Sequence, residues 1–130
     1  MSCTLGLPEG NWRSSVEVEA QTVPGVRFAV RRMSLGRRNE LIRRVRELSR
    51  QAEFHAAGDS TEDRLQAAAM ALEIESTYIR WGLIWMEGLT IDGAPATTDL
   101  LISDGPEGLA REIAAAVKAQ CALSESERKN

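Results

Sequence analysis

Few side chains in this sequence are of a type that does chemistry. There is one histidine, His55, and there are two cysteines, Cys3 and Cys121, near opposite ends of the 130-residue chain. Acid–base catalysis needs groups with shifted pKa values that converge in a pocket, and imidazole is the usual starting point. His55 falls beside Leu48 and Ala52 at the end of a predicted helix, where a histidine commonly caps carbonyls or packs, so it reads as structural. Glu73 and Glu75 are two residues apart on a predicted helix, point to different faces and do not form a carboxylate pair. No Cys or His stands at metal spacing between Cys3 and Cys121, so neither a zinc site nor a disulfide framework is expected. The sequence has no glycine-rich phosphate loop, nucleophile elbow or His-Glu metal motif. The expectation is a protein that is not an enzyme, with no catalytic, cofactor-binding or metal-binding residues and no cofactor.

The arginines are a different matter. Residues 27, 31, 32, 37, 38, 43, 44, 46 and 50 are all Arg, against Glu40 and Glu47, in a chain whose formal net charge is −3. Guanidinium forks suit phosphates and carboxylates. If Leu41, Val45 and Leu48 face the core, then Arg43, Arg46 and Arg50 lie on the opposite face, with Glu47 in reach of Arg43 and Arg50. Such a face serves as a solvated surface, as a contact for an acidic protein partner or neighbouring subunit, or as a nucleic-acid contact. The overall negative charge argues against the last.

The elements that hold these residues are legible from periodicity. Length and a hydrophobic content of 43% fit one domain. Residues 1–14, with Gly6, Pro8 and Gly10 and a single large anchor in Trp12, read as an extended arm; 15–123 as the globular domain; 124–130 as a polar tail. Val16, Val18 and Ala20, then Val26, Phe28 and Val30, alternate on either side of Pro24-Gly25, which predicts a β-hairpin. From Ser34 the period becomes helical through Leu41, Val45, Leu48 and Ala52, with a stop at Gly58. Ser60 reads as an N-cap with Glu62 and Asp63 in the first turn, opening a second helix that runs to about Gly82. Residues 83–91 either prolong that helix or form a strand; Gly88 and the Asp92-Gly93 turn favour a strand that joins the hairpin. Thr97 caps a short helix. Pro106 opens a last helix with Leu109, Ile113, Val117 and Cys121 on its inner face. The fold class expected is α+β and predominantly helical, with an N-terminal hairpin packed against three to four helices.

The second helix is apolar on two sides. Leu65, Ala69, Leu72, Ile79 and Leu83 form one stripe, and Met70, Ile74, Trp81 and Trp85 form another nearly opposite, if the helix reaches Trp85. A helix of this kind must be covered on both sides. Either the chain's own elements sandwich it, or part of it is an interface with another chain. For the latter, Met70, Ile74, Tyr78, Trp81 and Trp85 are the expected anchors, aromatic side chains being favoured at such positions.

The segments VRFAVRRMSLGRR, WGLIWMEGLTIDGAPATTDLL and LSESERKN, about a third of the chain, resemble in layout the small tail assembly chaperones of long-tailed phages and prophages. The resemblance implies a mainly helical, often oligomeric protein that escorts the hydrophobic, helical tape measure protein until tail tube subunits replace it. It carries no catalytic residues over. Two other functions stay open: a small nucleic-acid-binding regulator using the Arg-rich segment 27–50, and a structural virion connector that remains in the finished particle. The opening MSCTLGLPEG does not look like a signal peptide, and no run approaches the roughly 20 apolar residues that span a bilayer, so a cytoplasmic protein with no membrane contact is expected, in a bacterial host if the resemblance holds.

Overall fold

The computed structural model describes residues 10–129, with side chains as far as Cys121. Most of the expected N-terminal arm, residues 1–9, lies outside the described residues. The elements run β1 (Ser15–Glu19), β2 (Arg27–Arg31), α1 (Leu35–Ala56), α2 (Thr61–Gly82), β3 (Leu83–Glu87), β4 (Thr90–Ile91), β5 (Ala94–Pro95), α3 (Thr98–Asp104) and α4 (Glu107–Lys129). The protein is α+β and predominantly helical, with a small antiparallel sheet ordered β1-β2-β3.

The alternating residues on either side of Pro24-Gly25 pair as β1 and β2, from Ser15 opposite Arg31 to Glu19 opposite Arg27. β3 pairs with the other edge of β2, with an irregularity between Ala29 and Val30. Residues 83–91 are therefore not one strand. β3 stops at Glu87, and the Asp92-Gly93 turn closes a separate two-stranded ribbon of β4 and β5. Gly88 makes the break: it sits at φ 90°, and a Cβ there would strike the carbonyl oxygen of Gly25.

Hydroxyl caps start three of the helices. Ser34 accepts from the Arg37 N–H, Ser60 from Asp63 and Thr97 from Leu100. Pro106 precedes α4, and its carbonyl accepts the first helical bond from Ala110; it stands at the cap position, one residue before the place expected. α4 continues to Lys129, through the segment read from sequence as a polar tail. No helix among the described residues is long and apolar enough to cross a membrane.

The core lies between the sheet and α4, with the C-terminal half of α2 beside it. Val26, Phe28, Val30, Leu101, Leu109, Ile113 and Val117 are fully buried. Cys121, at the end of the expected inner face of α4, is half-buried. α2 ends at Gly82 because two requirements meet there. The chain turns into β3 at Leu83, and a Cβ at 82 would stand 2.5 Å from Val117 Cγ2, so only glycine lets α2 and α4 approach this closely.

The β1–β2 connection is tied to α4 through Glu112. Its carboxylate accepts from the N–H groups of Gln21 (2.8 Å) and Thr22 (3.1 Å) and from the Thr22 hydroxyl (2.7 Å). Partial burial alone would raise the pKa of Glu112, but these donors outweigh it and hold the group below its ordinary value. Glu112→Gln is expected to lower unfolding stability by about 1–2 kcal/mol, since hydrogen bonds to a charged acceptor are the stronger kind and these are partly solvated. Urea denaturation at neutral pH checks this; an unchanged midpoint would show that the turn does not need the anchor.

Candidate docking surface on the second helix

α1 and α2 form an antiparallel hairpin. At its tip His55 Nδ1 lies 3.1 Å from Asp63 Oδ1, and at its base the Trp81 Nε1–H donates to Glu40 Oε1 at 2.7 Å. The sheltered positions on α1 include Leu41, Val45, Leu48, Ala52 and His55, and on α2 they include Asp63, Ala67, Met70, Ile74, Thr77 and Trp81. Steps of three and four on both helices are the spacing of a two-helix seam. Met70 and Ile74 thus belong to the contact with α1.

On a helix with 3.6 residues per turn, Leu65, Ala69 and Leu72 lie about 180° from that seam. They are open to solvent: Leu65 is 63% and Leu72 56% exposed. Among the described residues nothing covers them, because the ties from α3 and α4 are made to the C-terminal part of α2. The ties across that junction are the Lys118–Glu75, Arg111–Glu75 and Arg80–Asp99 ion pairs and the Gly82–Val117 approach, all at or beyond residue 75. Where α3 and α4 arrive, they leave a cleft of about 470 Å³ against α2. Its apolar lining is Leu72, Ile79, Leu101, Ile102 and Ala110, and Glu75, Ser76, Glu107 and Arg111 supply the polar part. Leu72 belongs to both features, so the open stripe runs directly into the cleft. An apolar stripe of this spacing has the geometry of a surface on which one face of an amphipathic helix can lie.

The other expected anchors are placed differently. Trp81 is 3% exposed and belongs to the core of this chain, with its carbonyl accepting from Arg31 Nε at 2.9 Å. α2 ends before Trp85, so that residue sits on β3 opposite Ala29, half-buried, and does not extend the helical stripe. Tyr78 is half-buried beneath the Lys118 ammonium, 5.1 Å from the ring centre, and burial raises its pKa. Of the five, none is among the large exposed apolar residues of the described chain, which are Trp12, Leu35, Ile42, Phe54, Leu65, Leu72 and Ile84. The open surface comes from the other stripe read from sequence, through Leu65, Ala69 and Leu72, while its remaining members, Ile79 and Leu83, are buried.

Much of the arginine-rich segment is internal bracing. Arg27 pairs with Glu17 and Glu87 across the sheet, Arg31 holds the Trp81 carbonyl, Arg37 pairs with Glu40, Arg38 donates to the Cys121 carbonyl, and Arg32 lies over the Trp12 ring. Arg43, Arg46 and Arg50 are exposed on α1 away from the seam. Glu47 takes Arg50 (3.2 Å) and Gln51, not Arg43. Among the described residues Arg43, Arg44 and Arg46 make no ion pair.

No three His, Cys, Asp or Glu side chains among the described residues are grouped to hold a metal ion. The imidazole of His55 faces the Asp63 carboxylate at the hairpin tip, where the pair joins α1 to α2 as a clasp. The hydrogen bond from His55, and then those from Ser60, hold the Asp63 carboxyl below its usual range. A carboxyl depressed in the folded state stabilises above its unfolded pKa of roughly 3.9, and this stabilisation is lost as pH falls through the lower folded value. The melting temperature of the wild type is therefore expected to drop more steeply below about pH 4 than that of Asp63→Asn, which lacks the titrating group. Parallel acid limbs in the two proteins would show that the clasp contributes nothing.

No protein-family model, curated protein or solved structure matches the chain.

Proposed function

We propose that this protein is a non-enzymatic assembly chaperone or adaptor, of the kind its sequence layout resembles, that holds an amphipathic helix of a partner on α2. The observation that carries the reading is the open Leu65–Ala69–Leu72 stripe continuing into the α2–α3–α4 cleft. Completing the burial of two half-exposed leucines contributes about 1 kcal/mol each, and the cleft walls add to it. That suits a client held and later released, which is what escorting a tape measure-type protein requires. Glu73, which makes no ion pair among the described residues, favours a client helix with a basic residue beside its apolar face, whereas Glu75 and Glu107 are already matched by Lys118 and Arg111.

Co-expression with a long helical candidate followed by pull-down tests this. A partner that is insoluble alone and soluble in its presence supports the reading, and one that precipitates regardless contradicts it. A connector that stays in the finished particle is told apart by mass spectrometry of purified particles.

One observation favours a second reading. Arg43, Arg44 and Arg46 are exposed and make no ion pair among the described residues, and a nucleic acid bound there would release counterions, so its affinity would fall steeply with added salt. Absence of DNA or RNA binding at low salt removes it.

A further inference from the structure

We propose that the outer face of α1 is a second docking surface, and that its partner is an acidic amphipathic helix. Leu35, Asn39, Ile42 and Arg46 follow one another at steps of four, three and four, about 120° round the helix from the Leu41, Val45 and Leu48 seam with α2. Leu35 is 82% and Ile42 51% exposed, so the packing of the described chain leaves both apolar side chains in solvent. Phe54, towards the other end of the helix, is 74% exposed and stands edge-on to the His55 ring. Arg43 and Arg46 are exposed and make no ion pair among the described residues, and Arg50, one turn further on, pairs with Glu47 at 3.2 Å. The face thus combines unused apolar area with guanidinium groups that lack a counterion in the described chain.

Guanidinium forks take phosphates and carboxylates alike, so the choice of partner rests on the rest of the face. Glu47 and Glu53 are exposed at its borders, in a chain of net charge −3. A uniformly anionic polymer or surface would meet these acids as well as the arginines. A protein helix sets its own carboxylates against Arg43 and Arg46 and leaves neutral or basic residues opposite Glu47 and Glu53. A phosphate backbone also gains nothing from Leu35 and Ile42, whereas a helix with an apolar stripe buries them. The partner is therefore a helix with apolar residues every three or four positions and Asp or Glu beside them. Its charge is opposite to that of the client proposed for α2, and the two surfaces lie on different sides of the hairpin. One chain can then hold both helices together, which deepens the adaptor reading without depending on the α2 surface.

Fluorescence anisotropy of labelled probes titrated with the full chain tests this, with circular dichroism to verify folding. The probes are a Leu- and Glu-patterned helical peptide, the same residues in scrambled order, a basic amphipathic peptide, and single- and double-stranded DNA. The acidic peptide is expected to bind saturably, and the scrambled one at least about tenfold more weakly. Arg43→Glu with Arg46→Glu is expected to weaken the acidic peptide at least about 100-fold, and Leu35→Ser with Ile42→Ser about tenfold. Both double variants change only exposed positions, so the fold is retained, and neither is expected to alter binding of the basic peptide. No saturable binding of the acidic peptide at millimolar concentration, or binding indifferent to the Arg43 and Arg46 reversal, would overturn the proposal. So would arginine-dependent binding of DNA by a chain that ignores the acidic peptide, which leaves the nucleic-acid reading of the same arginines. Binding of the acidic peptide without the basic one supports this surface and removes the client reading of α2; the reverse overturns this surface and leaves that reading.

Discussion

A chain carrying both Leu65→Glu and Leu72→Glu is expected to fold as the wild type does and to lose its hold on an amphipathic helix. Both residues are more than half exposed in the folded protein, so removing their apolar atoms takes little from the core, and substitutions at such surface positions usually change stability by no more than about 0.5 kcal/mol. Binding is affected differently. In the complex both positions would lie under the client, and each new carboxylate would have to be desolvated there without a partner or exclude the client. At about 1–3 kcal/mol for each position, a loss in affinity of roughly 100-fold or more is expected. Isothermal titration with a basic amphipathic peptide, alongside thermal melting, checks both halves. Undiminished binding in a folded double variant would place the client elsewhere.

The opposite pattern is expected for Trp81→Ala. Trp81 was a natural candidate for a partner anchor on sequence grounds, but it is 3% exposed and joins three elements: its ring nitrogen donates to Glu40 of α1, its carbonyl accepts from Arg31 of β2, and it stands in the last turn of α2. Truncating it removes a large buried ring and leaves Glu40 Oε1 without its donor, the Arg37 contact to the other carboxylate oxygen remaining. A loss of about 3–5 kcal/mol is expected, a large share of the roughly 5–15 kcal/mol that holds a domain of this size together. Trp81→Phe keeps most of the volume and loses the hydrogen bond, for which about 1–2 kcal/mol is expected. Guanidinium denaturation measures both. If Trp81→Ala unfolded at the wild-type midpoint and impaired only partner binding, Trp81 would be an interface residue after all.

The contrast between these two sites shows where the sequence was informative. Local signals were reliable: the alternation around Pro24-Gly25 pairs as expected, and Ser34, Ser60 and Thr97 cap the helices they precede, because each effect is complete within a few residues. The two apolar stripes of α2 were also visible. Which of them another element covers was not, since it depends on where α1, α3 and α4 come to rest. α1 pairs along Met70 and Ile74, whereas the ion pairs from α3 and α4 reach α2 only from Glu75 onward, leaving Leu65 open and Leu72 at the rim of the cleft. The extent of α2 was equally non-local: the helix stops where Gly82 must pass Val117, so Trp85 belongs to a strand. The arginine run was visible as charge, but its division into bracing residues and free ones required the distant partners Glu17, Glu87 and the Trp81 and Cys121 carbonyls.

The most direct test of the docking surface is an NMR titration of the isotope-labelled full chain with a basic amphipathic helical peptide. Saturable amide shifts over residues 64–80 of α2, and over 101–111 where α3 and α4 wall the cleft, are the expected result. Shifts concentrated on the arginine face of α1 around Arg43 and Arg46, or no saturable shifts at millimolar peptide, would contradict it.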